Sequence, residues 1–160
     1  MTHEALIFDE ALLAPLREKA LAAPRLRMNL NLHHTADAAC QRFFNAMEPA
    51  SYVRPHRHRG EGKEETLVVV RGRLGVLFFD DTGRVVDKAV LTAGGERFGY
   101  HVSTNVWHST IALASGTVFL EAKGGPYLAG ADTDFADWAP AEGTADVAAY
   151  LETLRAACTN

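Results

Sequence analysis

From residue 40 to about residue 118 the chain is a succession of short runs rich in Val, Phe, Leu and Thr, each closed by Gly, Pro, Asp or Asn. That cadence is the signature of an all-β sandwich or barrel, and it constrains the fold more than any other feature of the sequence. The clearest turn is Asp80-Asp81-Thr82-Gly83, where Gly supplies the positive φ of a hairpin, so residues 74–79 and 85–90 are expected to pair. Ser115-Gly116 is expected to close a second hairpin between residues 109–114 and 117–123.

The period changes on either side of this region. Over residues 9 to about 23, Leu12, Leu13, Leu16, Ala20 and Leu21 recur at helical spacing, with Asp9 as candidate N-cap and Pro15 as an interruption that shifts the start. After Pro24, Leu26, Met28, Leu30 and Leu32 alternate with Arg27, Asn29, Asn31 and His33, which reads as a strand with one polar face. Near the C-terminus Val147, Tyr150, Leu151 and Leu154 form a helical stripe over residues 146–157, with Thr144 or Asp146 as N-cap, expected to pack on the outside of the β region.

Composition excludes several classes of function. Lys plus Arg is 16 against 20 for Asp plus Glu, a formal charge of −4, so no general attraction to nucleic acid is expected. No window approaches the roughly 18 to 20 uninterrupted apolar residues of a membrane span. Residues 1–10 lack a basic n-region, and Cys40 and Cys158 form no CxxC pair, so the expected setting is the reducing cytoplasm.

Four polar residues stand out inside the β region: His56 and His58 in Arg54-Pro55-His56-Arg57-His58, Glu65 at the start of an apolar run, and His108 after Val106-Trp107. Residues two apart in a strand project from one face, so both imidazoles can reach one point. Glu65 opens the next run, and His108 can return as an antiparallel neighbour. Three imidazoles and a carboxylate suit one divalent transition metal such as Fe, Mn, Zn, Ni or Co.

The segment His56-x-His58, Glu65 and Gly72 resembles the first motif of the cupin superfamily, and Ser103-Thr104-Asn105-Val106-Trp107-His108 is similar to a variant of the second. Residues 27–33, 51–58, 121–127 and 134–140 resemble the WbuC-type cupin fold metalloproteins in particular. The resemblance implies a single cupin-type β-barrel (a double-stranded β-helix, or jelly roll) with a metal near its mouth, flanked by an N-terminal and a C-terminal helix. It divides one domain of 160 residues into a helical segment (1–25), the barrel (26–125) and a C-terminal extension with a helix (126–160). It also implies proximity to surface-polysaccharide genes, and hence a sugar or sugar-derived acid as ligand. The connection from His58 to Glu65 is longer than the usual cupin spacing, and Glu64 stands beside Glu65 as an alternative ligand. Glu65 is preferred because Gly72 follows at the expected interval and one parity of the strand faces inward. Asn105 stands where the second motif has a turn Gly, and Asn tolerates the left-handed conformation.

Around this centre further residues are candidates for binding a small polar molecule. Asn31 and His33 share a strand face with Arg27, Tyr52 and Arg54 share the parity of His56, and Glu121 and Lys123 alternate near the end of the β region. Four ligands leave about two positions open on a six-coordinate metal, enough for a bidentate oxygen ligand or for substrate beside dioxygen. An isomerase- or epimerase-like reaction needs a base, for which Glu64, His33, His101 and Tyr52 are candidates. An oxygenase-like reaction needs Fe(II) instead. The alternatives are a metal-dependent binding or sensing domain without turnover, and a structural domain stabilised by its metal. A homodimer is expected, because pairing would protect exposed strand edges.

Overall fold

The computed structural model describes residues 5–128 and 133–159. Helix α1 (Glu10–Ala22) begins where Asp9, in extended conformation, accepts a hydrogen bond from the Leu12 amide at 3.0 Å. Pro15 lies inside this helix and does not shift its start: the Asp9 cap fixes the first turn, and the proline forfeits only one internal hydrogen bond.

Among the described residues ten strands follow: β1 (Arg27–Asn31), β2 (Cys40–Met47), β3 (His56–His58), β4 (Glu65–Arg71), β5 (Arg73–Phe79), β6 (Val85–Thr92), β7 (Gly99–Val102), β8 (Trp107–Ala112), β9 (Thr117–Gly124) and β10 (Thr133–Phe135). Helix α2 (Val147–Thr159) closes the described chain. The strands form two five-stranded antiparallel sheets, β1-β2-β9-β4-β7 and β10-β3-β8-β5-β6, facing each other as a jelly-roll barrel.

The strand alternation sorts side chains between these layers. Met47, Leu67, Val69, Leu74, Val76, Leu91, Ala112 and Phe119 point inward and form the core between the sheets. Leu77, Phe79 and Ile111 point outward from the second sheet and are covered by Leu151, Leu154 and Cys158 of α2, which therefore packs on the exterior as expected. On the opposite exterior, Leu13, Leu16 and Ala20 of α1 cover Phe44, Ala46 and Val118. Each fully buried Leu or Phe contributes about 1.5–3 kcal/mol against exposure, so both helices are held by their apolar stripes.

The expected β5–β6 hairpin forms, in register from Arg73–Thr92 to Phe79–Val85, with Gly83 at φ 87° in the turn. The second expected hairpin does not. β8 pairs with β3 and β5, while β9 pairs with β2 and β4 in the other sheet. Ser115-Gly116 is a crossing between sheets, and its donors are satisfied by Glu48, whose carboxylate accepts from Ser115 Oγ at 2.7 Å and the Gly116 amide at 2.9 Å. A reversal signal fixes the change of direction but not which strand receives the chain.

Candidate metal centre

The barrel brings together the four residues singled out by spacing. His56 and His58 share the inward parity of β3, His108 of β8 lies in register with His56, and Glu65 opens β4 from the facing sheet. One potential ligand atom from each lies within 4.8 Å of all the others. Donors at the usual ~2.0–2.2 Å from a common ion span about 4.2 Å when opposed, so the group is close to coordinating dimensions. His58, Glu65 and His108 are buried and His56 is half-buried.

Hydrogen bonds to the far side of the rings set their tautomers. His56 Nδ1 lies 3.0 Å from the Arg54 carbonyl oxygen and His108 Nδ1 2.9 Å from that of Val106. A carbonyl can only accept, so both Nδ1 atoms carry the hydrogen and both Nε2 lone pairs are left facing the cluster. His108 Nε2 is buried with no hydrogen-bond partner, a costly arrangement for a polar atom unless an electron-pair acceptor occupies the cluster. His58 Nε2 lies 3.1 Å from Glu65 Oε2, and its Nδ1 lies 3.4 Å from Thr133 Oγ1. Tyr100 donates its hydroxyl hydrogen to Glu65 Oε1 at 2.7 Å.

Burial, reinforced by His108 and His58, lowers the His56 pKa to about 3. Burial likewise lowers that of His108. For Glu65 burial acts upward, but the His58 hydrogen bond together with His108 and Lys123 holds the carboxyl below the usual range. These directions keep the His56 and His108 imidazoles neutral and the Glu65 carboxylate ionised, the forms in which these three donate electron pairs. Glu121 moves the other way: burial and the neighbouring Glu65 raise it to about 8. Its carboxylate accepts from Asn45 Nδ2 at 3.0 Å and pairs with Lys123 Nζ at 3.1 Å. His56, Glu65, His108, Tyr100, Asn45 and Glu121 border one cavity of about 250 Å³. The buried donor set and the unpartnered His108 nitrogen fit a first-row divalent ion.

The remaining candidates are distributed differently. Lys123 lines the cavity with Glu121, while Asn31 and His33 line an adjoining pocket. Glu64 is exposed, one residue out of parity with Glu65. His101 is exposed on the outer face of β7, where its Nδ1 meets Thr66 Oγ1 at 2.9 Å. Tyr52 and Arg54 were expected to share the His56 face, and this is corrected. Tyr52 is packed beneath α2 with its hydroxyl donating to Pro140 O at 2.9 Å, and Arg54 donates from Nε and Nη2 to Ala136 O at 3.1 and 2.6 Å. Residues 51–55 are not a strand and end in Pro55, so the period of two in β3 does not extend back through them; Val53 borders the cavity instead. Tyr100, Asn45 and Thr133 were missed. Tyr100 emerges only from the β4–β7 register, which sets it opposite Leu67 on the inward face.

A family model described as a domain of unknown function, DUF6016, matches residues 8–91. No curated protein is detectably similar in sequence. Among solved structures, KdgF from Halomonas sp. superposes with a TM-score of 0.50 at 18% identity, over 66% of this chain and 84% of that one. Protein SO0799 from Shewanella oneidensis gives 0.53 at 13% identity over 67% and 72%. A recombinant oxalate oxidase in complex with glycolate gives 0.53 at 13% identity over 71% and 57%. At such identities the likeness shows the fold, which is a cupin-type barrel. That fold brings together His56, His58, Glu65 and His108, a donor set that could hold a divalent metal.

Proposed function

The chain belongs to the DUF6016 family of domains of unknown function, and from that premise we propose that it is a metal-dependent enzyme acting on a small polar metabolite, with His56, His58, Glu65 and His108 as the metal ligands. The observation that carries this reading is the pair of inward Nε2 lone pairs on His56 and His108, one of them buried without a partner, facing an ionised carboxylate at the floor of an open cavity. A divalent ion held there would supply a Lewis acid for a carbonyl or other oxygen of the substrate. The chain's own contributions are orientation of the imidazoles by the Arg54 and Val106 carbonyls, orientation of Glu65 by Tyr100, and a carboxyl group, Glu121, within the same cavity.

Of the two reaction types, isomerase- or epimerase-like chemistry is favoured over oxygenase-like chemistry, because Glu121 lines the same cavity as the cluster and offers an acid–base group there. The substrate reading is a sugar or sugar-derived acid of surface-polysaccharide metabolism. It draws on the likeness of the sequence motifs to WbuC-type proteins and on the polar lining. A cytoplasmic homodimer completes the reading, with the exposed Leu6, Ile7 and Phe8 as apolar surface that a second copy would cover.

The test is elemental analysis of protein purified without an affinity tag, beside His56→Ala and His108→Ala. About one first-row metal per chain, lost from both variants, is expected. Folded wild-type protein that is metal-free and cannot be reloaded would overturn the proposal. A ligand that binds the metal-loaded protein tightly and is recovered unchanged would favour the binding or sensing alternative.

A further inference from the structure

The inner face of a packed β-sandwich is normally apolar, since its side chains fill the space between the sheets. In this barrel that rule holds at one end and fails at the other. Inward positions of β4 and β9 run from Leu67 and Phe119 to Glu65, Glu121 and Lys123. The same face continues across β2 and β1, where Asn45 stands opposite Asn29, Phe43 opposite Asn31, and Gln41 opposite Lys123. Strands β1 and β9 therefore forgo core-forming residues at two successive inward positions each, and β2 does so on either side of Phe43.

That surface forms two adjoining hollows. The metal cavity, about 250 Å³, meets a second pocket of about 370 Å³ at Asn29, Phe43 and Lys123, which border both. The second pocket is further lined by Asn31, His33, Thr35 and Tyr127, with Gln41 at its base held by the Ala36 and Ala38 carbonyls at 3.0 and 2.9 Å. Among the described residues, the Asn29 and Asn31 side chains have no hydrogen-bond partner in the protein, so their amides are available to a ligand.

The chemistry of the lining selects the occupant. Of the described residues around the second pocket Lys123 alone carries a fixed charge, whereas phosphate recognition relies on forked guanidinium groups or clustered cations. Side-chain amides and hydroxyls each combine donor and acceptor capacity, which matches the hydroxyl groups of a sugar. Phe43, buried at the join of the two hollows, adds an apolar edge to this lining, with Lys123 Nζ 5.4 Å from its ring centroid.

We propose that this second pocket is a distal subsite for a hydroxyl-rich unit, so that the site takes a glycoside of at least two sugar units, one at the metal cavity and one against Asn31, Phe43 and Tyr127. The proposal rests on the metal-dependent reading above for the first unit only. With one hollow the size of a single small ligand and the second larger, a monosaccharide leaves the Asn31 and Tyr127 contacts unmade.

The test uses the full chain, metal-loaded with its metal content measured, on an array of defined mono-, di- and trisaccharides. Binding of disaccharides or longer glycans in preference to their constituent monosaccharides is expected. Asn31→Leu and Tyr127→Ala, each checked for an unchanged melting profile, should lower affinity for the best-bound disaccharide about three- to tenfold and leave metal content unchanged. Equal binding of mono- and disaccharides, no glycan binding by metal-loaded protein, or unchanged disaccharide affinity in both variants would each overturn the subsite. Chelated protein on the same array separates the two readings. Retained disaccharide binding without metal supports the distal subsite while removing the metal from ligand recognition; metal-loaded protein that binds no glycan overturns the subsite and leaves the metal centre standing.

Discussion

His56 and His108 are register partners on adjacent strands, and each ring is held in the same way, through Nδ1 to the carbonyl oxygen two residues upstream: Arg54 at 3.0 Å for His56, Val106 at 2.9 Å for His108. This local bond ties each imidazole to its own strand, so the pair is oriented before any ion arrives. Binding to a preorganised folded site stabilises the native state by mass action, about 2.7 kcal/mol at a free concentration one hundred times the dissociation constant. The melting temperature of wild-type protein should therefore rise on metal addition and fall on chelation, while Glu65→Gln and His108→Ala should show little of either shift. Calorimetric melting with and without chelator checks this, and an equal metal-induced shift in wild type and both variants would show that the ion binds elsewhere.

Tyr100 is the residue outside the cluster whose removal has the clearest reading. Its hydroxyl orients Glu65 through a 2.7 Å hydrogen bond, while its ring packs edge-on to Phe78. Tyr100→Phe keeps the ring and deletes the hydroxyl. Loss of such an orienting partner typically costs about 10- to 100-fold in metal affinity. Competition with a chromophoric chelator measures it, with the melting profile of the metal-free variant as control. Unchanged affinity would mean that the bond only satisfies the tyrosine.

The legible part of this molecule is the part governed by local period. Alternation predicted the strand after Pro24, the Asp80–Gly83 turn predicted β5–β6, and two-residue spacing predicted the shared face of His56 and His58. Asn105 does adopt the left-handed conformation at φ 64°, and its amide donates to His58 O at 2.8 Å. What escaped was non-local or lay where a period lapses. The partner of β8 depends on which sheet receives the chain after Ser115-Gly116, and the Tyr52–Arg54 parity failed because Pro55 interrupts the strand. Tyr100 and Asn45 acquire a role only through neighbours fixed by sheet register.

Tyr52, a candidate base in the sequence, instead gives the fold an alkaline limit. Burial raises its pKa, with Tyr150 adding to the effect, and its hydroxyl donates to Pro140 O. The unfolded chain releases this proton near pH 10 and the folded chain holds it longer, so the contribution to stability is complete below pH ~10 and is lost as pH rises through the folded value. Tyr52→Phe should cost about 1 kcal/mol at neutral pH through the lost hydrogen bond and flatten the decline above pH ~10. Denaturant midpoints across pH 7–11 read both effects; a parallel decline in the two proteins would assign the alkaline loss to other groups.

Gly72 and Gly94 separate two costs that positive φ usually confounds. Both lie in the left-handed region, at φ +77° and +69°, where an L-residue costs roughly 1–2 kcal/mol. A Cβ on Gly94 meets nothing within 4 Å, whereas one on Gly72 would stand 2.6 Å from Thr117 Oγ1 and 3.0 Å from Thr117 Cα, at the join between β4 and β5. The second distance involves backbone, which cannot rotate away, so overpacking adds about 1–3 kcal/mol to the conformational cost. Gly94→Ala should therefore destabilise by about 1–2 kcal/mol and Gly72→Ala by about 2–5 kcal/mol in urea unfolding. Because Thr117 Oγ1 also receives the Arg73 amide at 3.3 Å and donates to Ala114 O at 2.7 Å, displacing it loosens the crossing between sheets as well. Equal destabilisation of the two variants would show that the Thr117 contact relaxes without cost and that φ alone requires glycine at position 72.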